Sequence, residues 1–266
     1  MSGGCMALAL GHLADLLEGD AARKEALYGR MREYALWFEE NFGSTLCRER
    51  CGVDLTRVAG FLDYILTGKV FTRCVAHVGK AVMKLIEMVN RPLPEGEGAG
   101  DASRVEGAEP AGRAAGCCAA DVLRGIREAT GTGSLYLEIL SISFDGGIGL
   151  SGGLCGALAG ALLPLGAVWG IDPKEEGIAG TVRAFLRGHF NLYTGKGERE
   201  LWAVANPLVR EFRRRFASLE CRDLTGRSFA SGVELEAFVA ASPRCAEVKE
   251  WCREKAVEAL RDVGEG

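Results

Sequence analysis

Residues 37–52 read WFEENFGSTLCRERCG, and residues 211–226 read EFRRRFASLECRDLTG. Both run aromatic, charged stretch, Phe, small residue, Ser, two variable residues, Cys, Arg, acidic. Two further pairs of blocks occur in the same order. SGGCMALALG at 2–11 matches SGGLCGALAG at 151–160 with one gap, and FTRCVAHVGKAV at 71–82 parallels SPRCAEVKEWCREKAV at 242–257. Ordered self-similarity of this kind points to an internal repeat. It pairs Cys5 with Cys155, Cys47 with Cys221, and Cys74 with Cys245.

The spacing between the last two cysteines is nearly equal in the two copies, 27 and 24 residues. The spacing between the first two differs, 42 against 66, so the second copy carries an insertion near 171–197. The second copy also has a segment from Cys117-Cys118 onward that the first lacks, and the first copy therefore reads as truncated. Between them, residues 91–116 are rich in Gly, Ala, Glu and Pro and nearly devoid of large apolar residues. Such a stretch cannot bury enough surface to offset its ordering entropy. The expected layout is a truncated cysteine-bearing helical module at 1–90, a disordered linker at 91–116 and a complete module at 117–266. Tandem copies inherit whatever self-complementary surface their ancestor had, so the two modules are expected to pack as an intramolecular pseudo-dimer.

The periodicity is helical throughout. Leu27, Met31, Tyr34, Trp37, Phe38 and Phe42 fall at three- and four-residue steps, as do Leu201, Val204, Leu208, Val209, Phe212 and Phe216. Asn206-Pro207 is expected to kink or restart the second of these helices. Ser242-Pro243 reads as a capped start of a helix over 244–262. Alternating runs of strand length are scarce, so the fold class is all-α, two helical-bundle modules in a diverged tandem repeat. Residues 146–171 carry no charge and are long enough to cross a bilayer, but Gly and Ala dominate and the flanks are acidic or mixed. They read as a buried helix, broken at Pro164, with no stable membrane insertion.

The chain has ten cysteines and three histidines, and a net charge of −4. No basic stripe interleaved with aromatics appears, which argues against nucleic acid. Nothing in Met1–Leu17 resembles a secretory signal, so the expected location is cytoplasmic, where thiols stay reduced. Cysteines in that setting serve as metal ligands, as redox groups or as small buried core residues. No Walker loop, GxGxxG fingerprint or Ser–His–Asp pattern is present. GGIGLSGG at 146–153 is Gly-rich but has no following Lys.

Cys118-Ala119-Ala120, FDGGIG at 144–149, CGALAG at 155–160, FASLECRDLTG at 216–226 and Cys245 together resemble the C_GCAxxG_C_C family of redox-active proteins. The resemblance covers essentially all of 117–255. It implies a small helical module with four characteristic cysteines, here Cys118, Cys155, Cys221 and Cys245, and hence a redox or electron-transfer role with a redox protein as partner. A related module accompanies the split-Soret cytochromes, where an iron–sulfur centre is found, so the implied cofactor is an iron–sulfur cluster or iron. No CxxCH occurs, so covalent haem is not expected. Four converging thiolates can hold iron–sulfur or zinc. In the first copy the corresponding candidates are Cys5, Cys47, Cys51 and Cys74, with Cys47 and Cys51 on one helical face at i, i+4. Cys117 reads as incidental, and Cys252, two turns after Cys245, as within reach of the same site. His12, His77 and His189 read as ordinary surface or core histidines rather than ligands, with His77, three residues after Cys74, the one nearest a candidate thiol. The competing functions are a thiol–disulfide oxidoreductase using two of these cysteines, and a non-catalytic helical interaction module with structural zinc or no metal.

Overall fold

The computed structural model describes residues 1–93, 117–194 and 201–261. All but the first three residues of the expected linker lie outside the described residues. The protein is all-α, with no strand among the described residues.

In the first part, α1 (Ser2–Gly11), α2 (Leu13–Glu18) and the long α3 (Ala21–Phe42) are followed by the five-residue α4 (Cys47–Cys51) and α5 (Val58–Leu66). A π-helical turn, Val70–Val75, then runs into α6 (Ala76–Val89). Asp20 caps α3 by accepting hydrogen bonds from the Ala22 and Arg23 amides, and Gly43 ends it in the left-handed region at φ 76°. The apolar stripe anticipated on α3 is the buried one: Leu27, Tyr28, Met31, Tyr34 and Phe38 are all nearly inaccessible.

The second part begins with α7 (Cys118–Thr130) and α8 (Leu135–Leu140), the latter continuing into a 3-10 turn, Ser141–Phe144. After a buried loop come α9 (Gly156–Trp169), α10 (Pro173–Thr194) and α11 (Leu201–Phe216). The chain closes with α12 (Cys221–Thr225), α13 (Gly232–Ala241) and α14 (Pro243–Arg261). The helices α7, α9 and α14 pack on one another, and α11 packs on α9 and α14. Ser242 accepts from the Cys245 amide at the start of α14, as the Ser-Pro signal implies.

Two expected interruptions do not occur. The helix α9 runs unbroken through Pro164 and α11 through Pro207. Pro164 is itself buried within the core, so tertiary packing outweighs the one backbone hydrogen bond that proline removes. The insertion anticipated near 171–197 folds largely as α10, which bends at Gly177 (φ 63°). No single helix among the described residues is long and apolar enough to cross a membrane. Only α9 and α10 taken together meet that length and composition, and they bend by 94°.

One buried core draws on both parts. It contains Cys5, Leu8, Leu27, Tyr28 and Met31 from the first and Val122, Ile126, Leu158, Phe212 and Leu235 from the second. Between them, α1 packs on α3 and α6 and also meets the 3-10 turn. Polar contacts reinforce the junction. Glu25 accepts from the Gly232 and Val233 amides at 3.0 and 3.1 Å, capping α13 from across the junction. Lys24 pairs with Glu236 at 2.5 Å. The Tyr28 hydroxyl donates to the wholly buried Asp145 at 2.9 Å.

Two substitutions test this packing. Tyr28→Ala removes a fully buried ring and leaves the Asp145 carboxyl short of a donor, so it is expected to cost about 3–5 kcal/mol in a urea melt. An unchanged midpoint would mean that the junction contributes nothing. Gly160 faces the Ala119 backbone so closely that an added Cβ would sit 2.7 Å from its carbonyl oxygen. Gly160→Ala is therefore expected to push α9 off α7 and to lower stability by about 1–3 kcal/mol, whereas Gly166→Ala, in open space, should not.

Candidate metal centre

The four cysteines singled out in the second part line a single cavity. Each sits at the start of a helix. Cys118 is the first residue of α7, Cys155 the residue preceding α9, Cys221 the first of α12 and Cys245 the third of α14. Four helix N-termini thus converge on four sulfurs. Unpaired amides and the positive end of the helix dipole favour negative charge at such positions.

A short backbone bridge sets the middle pair side by side. Leu154 and Glu220 pair as an isolated antiparallel bridge. Within it the Cys155 amide donates to the Leu219 carbonyl at 2.8 Å and the Cys221 amide to the Gly153 carbonyl at 2.6 Å. The bridge forms closely because Gly152 and Gly153 precede Leu154. Gly152 takes φ +77° and lies against the Arg222 side chain, which an L side chain there would meet at 3.0 Å. Upstream, Gly146 to Leu150 all have positive φ, including Ile148 at 66° and Leu150 at 59°. Holding two non-glycine residues there costs about 1–2 kcal/mol each, and the burial of both side chains offsets it. The glycine-rich stretch is thus a buried left-handed loop. Gly156 completes the close approach: a Cβ there would stand 2.9 Å from the Phe144 carbonyl and 3.2 Å from Cys118 Cβ.

The Asp145 carboxylate orders the α7 end of the site. It accepts from the Cys118 and Ala119 amides at 3.1 and 3.4 Å as well as from Tyr28. Burial raises its pKa to about 7 in spite of these donors. Cys117 and Cys118 bring their Sγ atoms to 3.8 Å, and a carboxylate oxygen of Asp145 lies within 4.8 Å of both. Cys117, set aside in the sequence, is therefore a buried neighbour of the site, although it does not line the cavity. Their surroundings favour the neutral form of Cys118, Cys155 and Cys221. Contact with Cys117 and then burial raise Cys118 well above the ordinary range, burial takes Cys155 up to about 11, and burial raises Cys221 further. The Ala157 and Leu158 amides offset part of the rise at Cys155, though neither caps the helix through its sulfur.

The remaining wall is apolar, from Leu224, Leu235, Val239 and Val248, with two cations. Burial alone would lower the Lys249 ammonium, but its 2.8 Å bond to Asp121 prevails and keeps it charged. Arg244 lies over the Phe216 ring, 4.9 Å from its centre. The donor set fits a soft metal: four sulfurs, a dry wall and cations to balance thiolate charge. The cavity these residues line has a volume of about 20 Å³, room for one water-sized body. Among the described residues no three of these sulfurs lie within 4.8 Å of one another. A single tetrahedral ion would require them to come closer together, whereas a cluster would accept a wider spacing.

The other candidates are distributed differently. Cys252 is fully buried in the core and does not line the cavity, because two turns of α14 carry it inward. In the first part, Cys5 is not brought to Cys51 and Cys74. It sits within α1, with its sulfur 4.0 Å from the Met31 carbonyl and packed against Gly149. The SGG preceding Cys5 is helical whereas the SGG before Cys155 is loop, so the two matched cysteines face different surroundings. Cys47 is exposed, while Cys51 and Cys74 form a separate small cluster with Val53 and Tyr64. His77 stacks on Phe42 at 4.4 Å and bonds to Arg50, and burial followed by the Arg50 charge lowers its pKa. It serves packing.

The matched stretches 37–52 and 211–226 do fold alike. Ser44 and Ser218 each bridge the following turn to an acid, Glu49 at 2.5 Å and Asp223 at 2.6 Å. Gly43 and Ala217 both take positive φ, and Gly52 and Gly226 both end a five-residue helix in the left-handed region.

Sequence reasoning missed Asp145 and Lys249. Asp145 stood inside the quoted FDGGIG block, and its isolation among apolar residues was the available signal. Comparison with known proteins agrees with the geometry. Residues 116–259 match the family described as "Putative redox-active protein (C_GCAxxG_C_C)". No curated protein and no solved structure matches the chain. The matched span holds all four cavity cysteines and covers more than half of the chain, which belongs to the C_GCAxxG_C_C redox-active protein family.

Proposed function

We propose that this protein is a cytoplasmic electron carrier that holds iron, or an iron–sulfur cluster, on the thiolates of Cys118, Cys155, Cys221 and Cys245 and exchanges electrons with a partner redox protein. The observation that carries this reading is the convergence of four cysteines, each at the start of a different helix, on one cavity. Iron bound there would supply one-electron exchange without substrate chemistry.

The chain's own residues do the rest. The four thiols give up their protons to become ligands, and the helix N-termini, Lys249 and Arg244 balance the charge that results. Leu235, Val239 and Val248 keep water away, which strengthens those interactions and tunes the potential. Asp145 fixes the α7 terminus so that Cys118 faces inward.

Protein purified under anaerobic conditions is expected to carry stoichiometric iron with a visible absorption band, and acid-labile sulfide where the centre is a cluster. Cys155→Ser and Cys221→Ser should each remove the metal and the band. Cys117→Ser, outside the cavity lining, should keep both. Full iron content in either of the first two variants, or zinc in place of iron in the parent, would refute the assignment.

A further inference from the structure

Outside the span that matches the family, Cys51 and Cys74 bring their sulfurs to 3.4 Å. They come from different elements. Cys51 is the last residue of α4, and Cys74 lies in the π-helical turn ahead of α6. A π turn widens the helix locally, and such turns recur at functional sites. Val53 and Tyr64, with Leu55 and Val70, enclose the pair in a core of its own, separate from the main one.

The two sulfurs differ in access. Cys51 is buried at 4% exposure, while Cys74 is only half-buried. Cys47, which corresponds in sequence to the cavity-lining Cys221, is exposed at the other end of α4. The position matching Cys51 in the second part is Thr225, which cannot pair with a thiol. The dithiol is therefore peculiar to the first part, and it does not depend on the cavity.

We propose that Cys51 and Cys74 form a dithiol–disulfide couple that exchanges with external disulfides of the glutathione class. Cys74, the accessible sulfur, attacks the external disulfide as its thiolate. The external S–S bond breaks, a mixed disulfide forms on Cys74, and the first external thiol leaves with the proton that Cys74 gave up. Cys51 then attacks the Cys74 sulfur, the Cys51–Cys74 bond forms, and the second external thiol leaves with the proton of Cys51. Two protein thiols are oxidised and one external disulfide is reduced to two thiols, so atoms and electrons balance. Burial, with the Cys74 contact, pushes the Cys51 thiol up to about 11, so Cys51 stays protonated and is not the sulfur that opens the exchange.

The test uses the reduced full-length protein, exposed anaerobically to glutathione disulfide, quenched by alkylation and mapped by peptide mass. The expected result is a Cys51–Cys74 linked peptide lighter by two hydrogens, reversible with dithiothreitol, with helicity unchanged. Cys51→Ser should instead hold glutathione on Cys74, and Cys47→Ser should leave the linkage intact. Cys51 and Cys74 both alkylated while Cys47 carries glutathione would overturn the proposal, as would a Cys47–Cys51 link in the parent. The parent map decides the question even where a variant fails to fold, and iron content in the same samples reports on the cavity separately.

Discussion

The Asp145 carboxylate is the interaction on which the rest of this structure depends. A wholly buried carboxyl is costly unless its oxygens are met by donors, and here the donors come from both parts of the chain. Tyr28 of α3 supplies one, and the Cys118 and Ala119 amides at the start of α7 supply the others. A single side chain thereby fixes the first part against the second and aims the N-terminus of α7 at the cavity. The left-handed loop that follows Asp145 leads directly into Cys155, so the same carboxyl also anchors the turn that delivers the second sulfur.

Once α7 is placed, close backbone contacts carry the geometry onward. Gly160 and Gly156 let α9 settle against α7 and the 3-10 turn. The bridge between Leu154 and Glu220 then sets Cys221 beside Cys155, and α14 closes the ring with Cys245. Each sulfur is attached to a helix terminus whose position is fixed by packing elsewhere. A redox centre benefits from such rigidity, because little has to reorganise when charge moves.

Much of this was legible in the sequence. The helical steps on α3 and α11 marked the buried stripes, the repeated blocks picked out Cys155, Cys221 and Cys245, and the family resemblance added Cys118, the fourth cysteine at the cavity. The parts that escaped are those set by distant contacts. Asp145 acquires its role from Tyr28, 117 residues away. The close pairing of Cys51 and Cys74 spans 23 residues and a π turn, while the i, i+4 relation of Cys47 and Cys51 leaves Cys47 in solvent. Cys5 and Cys155 share a motif but not a conformation, because Gly152 and Gly153 before Cys155 are drawn into the backbone bridge. Proline at 164 and 207 was read by its local preference, and tertiary packing outweighed it.

The proposed function requires four cysteine sulfurs to hold one iron centre. X-ray absorption at the iron edge of anaerobically purified protein tests it most directly. The expected first shell is sulfur alone, and it is lost in Cys155→Ser. A shell containing nitrogen or oxygen ligands in the parent protein, or protein that takes up no iron, would contradict it.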